Sequence, residues 1–251
     1  DEIHVYSENM SSPETPFLQA INEFTWKKMI NPRMLSGHLQ GRFLSSLVAL
    51  KQPQCILEIG TFTGYATACL LEHLPQNASL HTIEADAETA HKTQTFWLSQ
   101  HPQHRVNWHV GEALTLLPNL QLQPDFVFVD ADKHNYKQYL DLCFPMLKPG
   151  GVLLFDNTLW SKRVTIEVDR LTDRDTQNMH AFNQYAKNTP NALVTLLPIR
   201  DGITLITKFN AFALGEIAID FSCGWHCLFG LGARIYAGII QDHLHDKLRS
   251  G

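Results

Sequence analysis

The chain has 251 residues, 44% of them hydrophobic, enough for one well-buried domain and too few for two of ordinary size, so a single active site is expected. Its net charge is −5 and its 20 Lys and Arg are scattered, with no basic run able to track a phosphate backbone, which argues against a nucleic-acid partner. The five cysteines (Cys55, Cys69, Cys143, Cys223, Cys227) form no spaced framework, and the opening DEIHVYSENM has neither the basic flank nor the apolar core of a signal peptide, so a reduced, cytoplasmic protein is expected.

In chain order, helical spacing covers residues 15–30 and 36–50, with Asn31-Pro32 separating the two because proline disfavours helix in the residue before it. Short apolar runs then alternate with amphipathic segments. The runs are CILEIG (55–60), LHTIE (80–84), VNWHV (106–110), DFVFVD (125–130) and GVLLFD (151–156), each of strand length and without polar alternation, as in strands buried on both faces. Helical segments over 64–73, 86–100, 112–117 and 135–147 separate them, so the pattern predicts an α/β fold around a parallel sheet. Near the end, ALVTLLPI and GITLITKF flank Arg200-Asp201-Gly202, a turn that accepts positive φ, and predict an antiparallel hairpin.

In such a sheet, ligands bind beyond the carboxyl ends of the strands, so the residues ending each run carry the chemistry. The first run ends Glu58-Ile59-Gly60-Thr61-Phe62-Thr63-Gly64-Tyr65, where two glycines allow a tight turn and close approach of a ligand, or turn chemistry alone. It lacks the Gly-x-Gly-x-x-Gly of a dinucleotide site, which disfavours a nicotinamide enzyme. The second run ends in Glu84, placed either to accept hydrogen bonds from ribose hydroxyls or simply to open the next helix. The fourth and fifth end in Asp130 and in Asp156-Asn157. If those strands are neighbours, two carboxylates and an amide converge, a donor set suited to a hard cation such as Mg²⁺; the alternative is that both acids cap helices. Lys133, on the loop after Asp130, is either a general base beside that cation or a surface lysine paired with Asp132.

The segments LEIGTFTGY, TIEADAE, VFVDADKHNY and LLFDNTLW, with PRMLSGHLQGRFL before them and LLPIRDGITL after, resemble the cation-dependent O-methyltransferases typified by the caffeoyl-coenzyme A and catechol enzymes, from about residue 32 to 209. The resemblance implies a Rossmann-like doubly wound sheet of order 3-2-1-4-5-7-6 with strand 7 antiparallel. It implies S-adenosylmethionine as methyl donor, a divalent cation held by Asp130, Asp156 and Asn157, a small catechol-like acceptor and a homodimer. By the same resemblance Lys133 and Asp130 are catalytic, and the cofactor is bound by Ser36, Glu58, Gly60, Thr61, Ala66, Glu84, Ala113 and Asp130. Met34 and Trp160 then flank the acceptor, Trp160 as an apolar wall.

Two features depart from that family. Ala66 stands where a serine usually binds the cofactor's carboxylate, leaving Thr67 or backbone amides to supply the contact. A methyltransferase domain over 1–209, with a helical N-terminal part over 1–50, is followed by an extension over 210–251 of no evident role. Its apolar, glycine-rich stretch is interrupted by Arg234, so it makes a poor membrane span, and Cys223, His226 and Cys227 are an incomplete zinc set. A metal-independent methyltransferase of the same fold and a non-catalytic cofactor-binding module are the competing readings. The N-terminal segment and the stretch over 161–175 are the candidate selectors of the acceptor; Arg163, Arg170 and Arg174 in the latter either meet an anionic acceptor or are simply solvated.

Overall fold

The computed structural model describes residues 2–100 and 105–209; the C-terminal extension, with its cysteines and His226, lies outside the described residues. The five apolar runs form parallel strands β1 (Cys55–Ile59), β2 (Ser79–Glu84), β3 (Val106–Val110), β4 (Phe126–Val129) and β5 (Val152–Phe155). The predicted hairpin forms as β6 (Ala192–Leu197) and β7 (Ile203–Lys208), and among the described residues the sheet has order β3-β2-β1-β4-β5-β7-β6. Only β7 runs antiparallel to its neighbour β5, pairing Leu205 with Leu154, while β6 pairs antiparallel with β7.

Side chains alternate between the two faces of a strand, and both faces here are covered, which is why the runs read as continuously apolar. On one face Ile56, Leu80, Phe126, Phe128 and Leu154 meet α2 (Pro16–Lys28), α3 (His38–Lys51), α4 (Tyr65–Leu71) and Trp97 of α5 (Ala87–Gln100). On the other, Leu57, Ile59, Val127, Val129, Leu153 and Phe155 meet α7 (Tyr136–Met146) and α9 (Arg174–Lys187), where Tyr136, Phe155 and Phe182 pack ring against ring. The short α6 (Ala113–Leu116) follows β3.

Helix starts follow local chemistry. Pro16 occupies the first turn of α2, and Thr15 accepts from the Leu18 N–H before it; Asp86 accepts from the Thr89 N–H at the start of α5. Within the helical N-terminal part, α1 (Glu2–Asn9) buries no residue, and one helical stretch has no counterpart in the sequence reading, α8 (Glu167–Thr172) with α9. The α9 signal was present but faint. Thr176, Met179, Phe182 and Ala186 recur at helical spacing and are buried, within a segment otherwise too polar to stand out, and Asp173 caps it through the Thr176 N–H. No described helix is long and apolar enough to cross a membrane.

The registers Ile59 to Ile83, Ile59 to Val129 and Val129 to Phe155 align the carboxyl ends of β2, β1, β4 and β5. Whatever residue follows each strand is thereby delivered to one edge of the sheet.

Candidate active site

The loop after β1 is shaped by its neighbours. Gly60 (φ 97) donates its N–H to Ile83 O at 2.9 Å, and a Cβ added there would stand 2.1 Å from the Asp130 carbonyl oxygen. Gly64 (φ 81) lies against Trp97, whose Nε1 would be 2.5 Å from a Cβ. Both glycines are therefore demanded by backbone conformation and close packing. Between them Phe62 (φ 50) donates its N–H to Glu84 Oε2 at 2.8 Å, while Glu84 Oε1 accepts from the Asp86 N–H at 3.0 Å. Glu84 thus stitches the β1 and β2 loops together, which goes beyond opening the next helix, one of the two roles its position suggested.

Glu58 lies wholly buried beneath this loop. Its Oε2 accepts from Thr67 at 2.5 Å and Thr82 at 2.6 Å, and Thr82 in turn bonds Thr61 at 2.5 Å, so Glu58 reaches the surface only through Thr61. Its Oε1 is buried with no partner among the described residues. Burial pushes this carboxyl up to about 8 against the restraint of the two threonine hydroxyls. Thr67 is committed inward to Glu58, so it is not free to replace the hydroxyl missing at Ala66.

The raised Glu58 carboxyl has a measurable consequence. Folded chain keeps the proton that unfolded chain loses near pH 4.5, so stability falls as pH climbs from there towards 8, by at most about 1.4 kcal/mol per pH unit. Glu58→Gln is expected to gain stability over the parent progressively across that window. Thermal denaturation of the cofactor-free protein at pH 5 and pH 8 checks this, and an equal difference at both pH values would refute it.

Asp130 and Asp156 leave β4 and β5 side by side, the Asp156 N–H donating to Val129 O at 3.0 Å. Lys133 Nζ donates to Asp130 Oδ1 at 2.8 Å, so its partner is Asp130 and not Asp132, which binds the Tyr139 hydroxyl and Asn135. Asp156 is buried: its Oδ2 accepts from Gln40 Nε2 at 2.7 Å and its Oδ1 from the Asn157 N–H at 2.7 Å. Burial, and next the charge of Asp130, push Asp156 up to about 7. Asn157 takes a left-handed conformation (φ 56), and the Tyr136 hydroxyl donates to the Asp156 carbonyl at 2.9 Å beneath it. Neither acid caps a helix. Among the described residues no group of three or more His, Cys, Asp or Glu is placed to hold a metal ion; the donors here are two carboxylates and an amide lining one cleft.

These elements line one cleft of about 950 Å³. Ser36, Gly60, Thr61, Ala66, Glu84 and Ala113 lie along it, together with Asp130, Lys133, Asp156, Asn157 and the exposed Met34. Two of the residues expected at the site are not on its wall. Glu58 is below the floor, and Trp160 is half-buried against the α7–α9 side of the core, in a loop where Trp160, Ser161 and Lys162 are all left-handed. Gln40, Arg33, Arg200 and Asp132 were not expected; Arg33, Arg200 and Asp132 line the cleft and Gln40 holds Asp156. Gln40 sits in the PRMLSGHLQ segment, but nothing local marks a helical glutamine as the partner of an acid on another strand.

The site's chemistry fits both expected groups. The Gly60–Thr61 turn brings backbone close to the cleft with no side chain in the way at Gly60, room that a bound cofactor needs, and an acid raised by burial beside a second acid gains from a bound cation with a preference for oxygen.

A model of the O-methyltransferase family matches residues 8–209. The chain belongs to the O-methyltransferase family. Among curated relatives it is 31% identical to tricin synthase 2 of Oryza sativa subsp. japonica over 70% of this chain and 63% of that protein, so it spans less than two thirds of that relative. It is 29% identical to caffeoyl-CoA O-methyltransferase of Populus kitakamiensis, over 82% and 92% of the two chains. Among solved structures, an O-methyltransferase of Streptomyces achromogenes involved in tomaymycin synthesis, in complex with S-adenosylmethionine, superposes with a TM-score of 0.74 at 27% identity, covering 84% of this chain and 97% of that one. The Podospora anserina methyltransferase bound to S-adenosylhomocysteine gives the same TM-score at 25% identity, covering 84% and 94%.

Proposed function

We propose that this O-methyltransferase moves a methyl group from S-adenosylmethionine to a hydroxyl of a small catechol-like acceptor, with a divalent cation, Mg²⁺ by the chemistry of the donors, held by Asp130, Asp156 and Asn157. The observation that carries the reading is that these three oxygen-bearing side chains share a cleft with the Gly60–Thr61 turn and Glu84. Solved relatives with this fold bind S-adenosylmethionine or S-adenosylhomocysteine.

In this reading Glu84 accepts from the ribose hydroxyls, Gly60, Thr61, Ser36, Ala66 and Ala113 enclose the cofactor, and Glu58 acts from below through Thr61. A divalent cation at the acids supplies Lewis-acid polarisation of an acceptor oxygen. Gln40 and the Asn157 N–H fix the Asp156 carboxylate, so its orientation is settled before any ligand arrives. Lys133, on the same loop as Asp130, would act on the acceptor hydroxyl as the neutral amine, having given its own proton to solvent when Asp130 turns from it to the cation, and Met34 packs against the ring. Trp160 supports the loop after Asn157 from the core side. The working unit is a pair of identical chains, which sedimentation would test.

A metal-independent transferase is the competing reading, favoured by the fact that Asp130 and Asp156 already have partners in Lys133 and Gln40. One assay separates the two. With S-adenosylmethionine and a neutral 4-alkylcatechol, turnover is expected to fall at least about a hundredfold in excess chelator and to return with Mg²⁺. Full activity in chelator would leave only the metal-free reading, and no transfer to any catechol with Mg²⁺ present would remove the acceptor class.

A further inference from the structure

A second cleft of about 780 Å³ lies beside the first, between α1, α2 and the turn Pro32–Met34. The two clefts share Arg33, Leu35 and Arg200. Arg200 is an exposed residue of the β6–β7 turn, where its left-handed backbone (φ 50) belongs to the hairpin, and its side chain is held by contacts across the fold. Its guanidinium lies over Gly37, where a Cβ would be 3.4 Å from Nη1, and Nη1 donates to Leu35 O at 3.1 Å and Gln40 Oε1 at 3.4 Å. That leaves Nε and Nη2, the pair of donors that fits a carboxylate side-on, without a protein partner among the described residues. Arg33 is exposed and makes no ion pair among the described residues. The acids of the second cleft are engaged: Glu14 accepts from the Tyr65 hydroxyl and Glu8 faces His4 at 3.4 Å.

Two of the three arginines of the 161–175 stretch are spent elsewhere. Arg163 pairs with Asp169 at 3.1 Å and Asp173 at 3.3 Å, and Arg170 donates to Val164 O at 2.8 Å. Neither lines either cleft.

We propose that Arg33 and Arg200 form a subsite at the junction of the two clefts for a carboxylate on the acceptor, with the arm that bears it reaching towards the second cleft. Arg200 contributes a planar, permanently charged fork seated on Gly37, and Arg33 adds a second positive charge on the same passage. The arrangement selects acidic catechols over neutral ones of equal size. The inference rests on the O-methyl transfer reading, which supplies the acceptor at the other end.

The test compares 3,4-dihydroxyphenylpropionate with its methyl ester in methyl transfer. Wild-type protein is expected to favour the acid in kcat/KM, and Arg200→Gln to lower the acid-to-ester ratio by about tenfold, with Arg33→Gln lowering it by less. Arg200→Lys, which keeps the charge but not the fork, is expected to restore the ratio only in part. Because the readout is a ratio, a loss common to both acceptors through Gln40 and Asp156 cancels. A ratio near one in wild type, or unchanged in Arg200→Gln, overturns the subsite. The second arm is calorimetric binding of 3,4-dimethoxyphenylpropionate, which has no hydroxyl to methylate, in the presence of S-adenosylhomocysteine. If neither catechol is methylated, the transfer reading fails, while tight binding of this acid that weakens about tenfold in Arg200→Gln still supports the subsite and its absence refutes it. Inorganic phosphate is titrated in parallel, and phosphate binding with no carboxylate binding overturns the assignment to a carboxylate.

Discussion

Replacing Asp156 by Asn is expected to lower cation-dependent methyl transfer by about a thousandfold while cofactor affinity stays essentially unchanged, because the change removes one anionic donor from a site whose cation contributes several kcal/mol. The fold should tolerate the change. Asp156 is raised to about 7 by burial and by Asp130, so the neutral amide suits its surroundings at least as well as the carboxylate, and Gln40 can turn its own amide to keep the contact. Calorimetric titration with S-adenosylhomocysteine and an assay across Mg²⁺ concentrations read the two effects separately. If the variant turns over like the parent in saturating Mg²⁺, Asp156 holds no catalytic cation.

The second large effect is on stability. Gly60→Ala puts a methyl group 2.1 Å from the Asp130 carbonyl oxygen at a position with φ 97, so either β1 and β4 separate at their ends or the loop leaves its conformation. A loss above about 4 kcal/mol is expected, which for a domain of this size lowers the melting temperature by roughly 10 °C or more. Gly150→Ala is the matched control. Its φ of 72 is also left-handed, but nothing lies within 4 Å of an added Cβ, so only the conformational cost of about 1 kcal/mol applies. Melting curves of the two variants should differ several-fold in their shift, and equal shifts would mean that the approach of Asp130 is not what requires Gly60.

The contrast between those two glycines shows where the sequence is informative and where it stops. Both sit at turns with positive φ. That Gly60 faces a carbonyl of the neighbouring strand follows only once β1 and β4 are paired in register. The acids behave the same way. Asp130 and Asp156 are visible as the ends of apolar runs, and their adjacency needed just one further assumption, that β4 and β5 are neighbours, which the sheet satisfies. Lys133 was visible as well, either as a base beside a cation or as a surface lysine paired with Asp132, and the geometry of the loop pairs it instead with Asp130. Trp160 stood out in sequence by its family position, yet three consecutive left-handed residues turn the loop so that it meets the core.

Sequence alone determined the alternation of strands and helices, the antiparallel hairpin at the end and the identity of the residues delivered to the carboxyl edge of the sheet. These follow from hydrophobic periodicity and turn chemistry, which act over a few residues. Tertiary structure decided which of those residues are held, by what, and facing where. Gln40 meets Asp156 across 116 residues of chain and Arg200 meets Leu35 across 165, and no local pattern encodes such pairs, because they exist only where packing brings distant segments together and leaves each buried polar group seeking a partner.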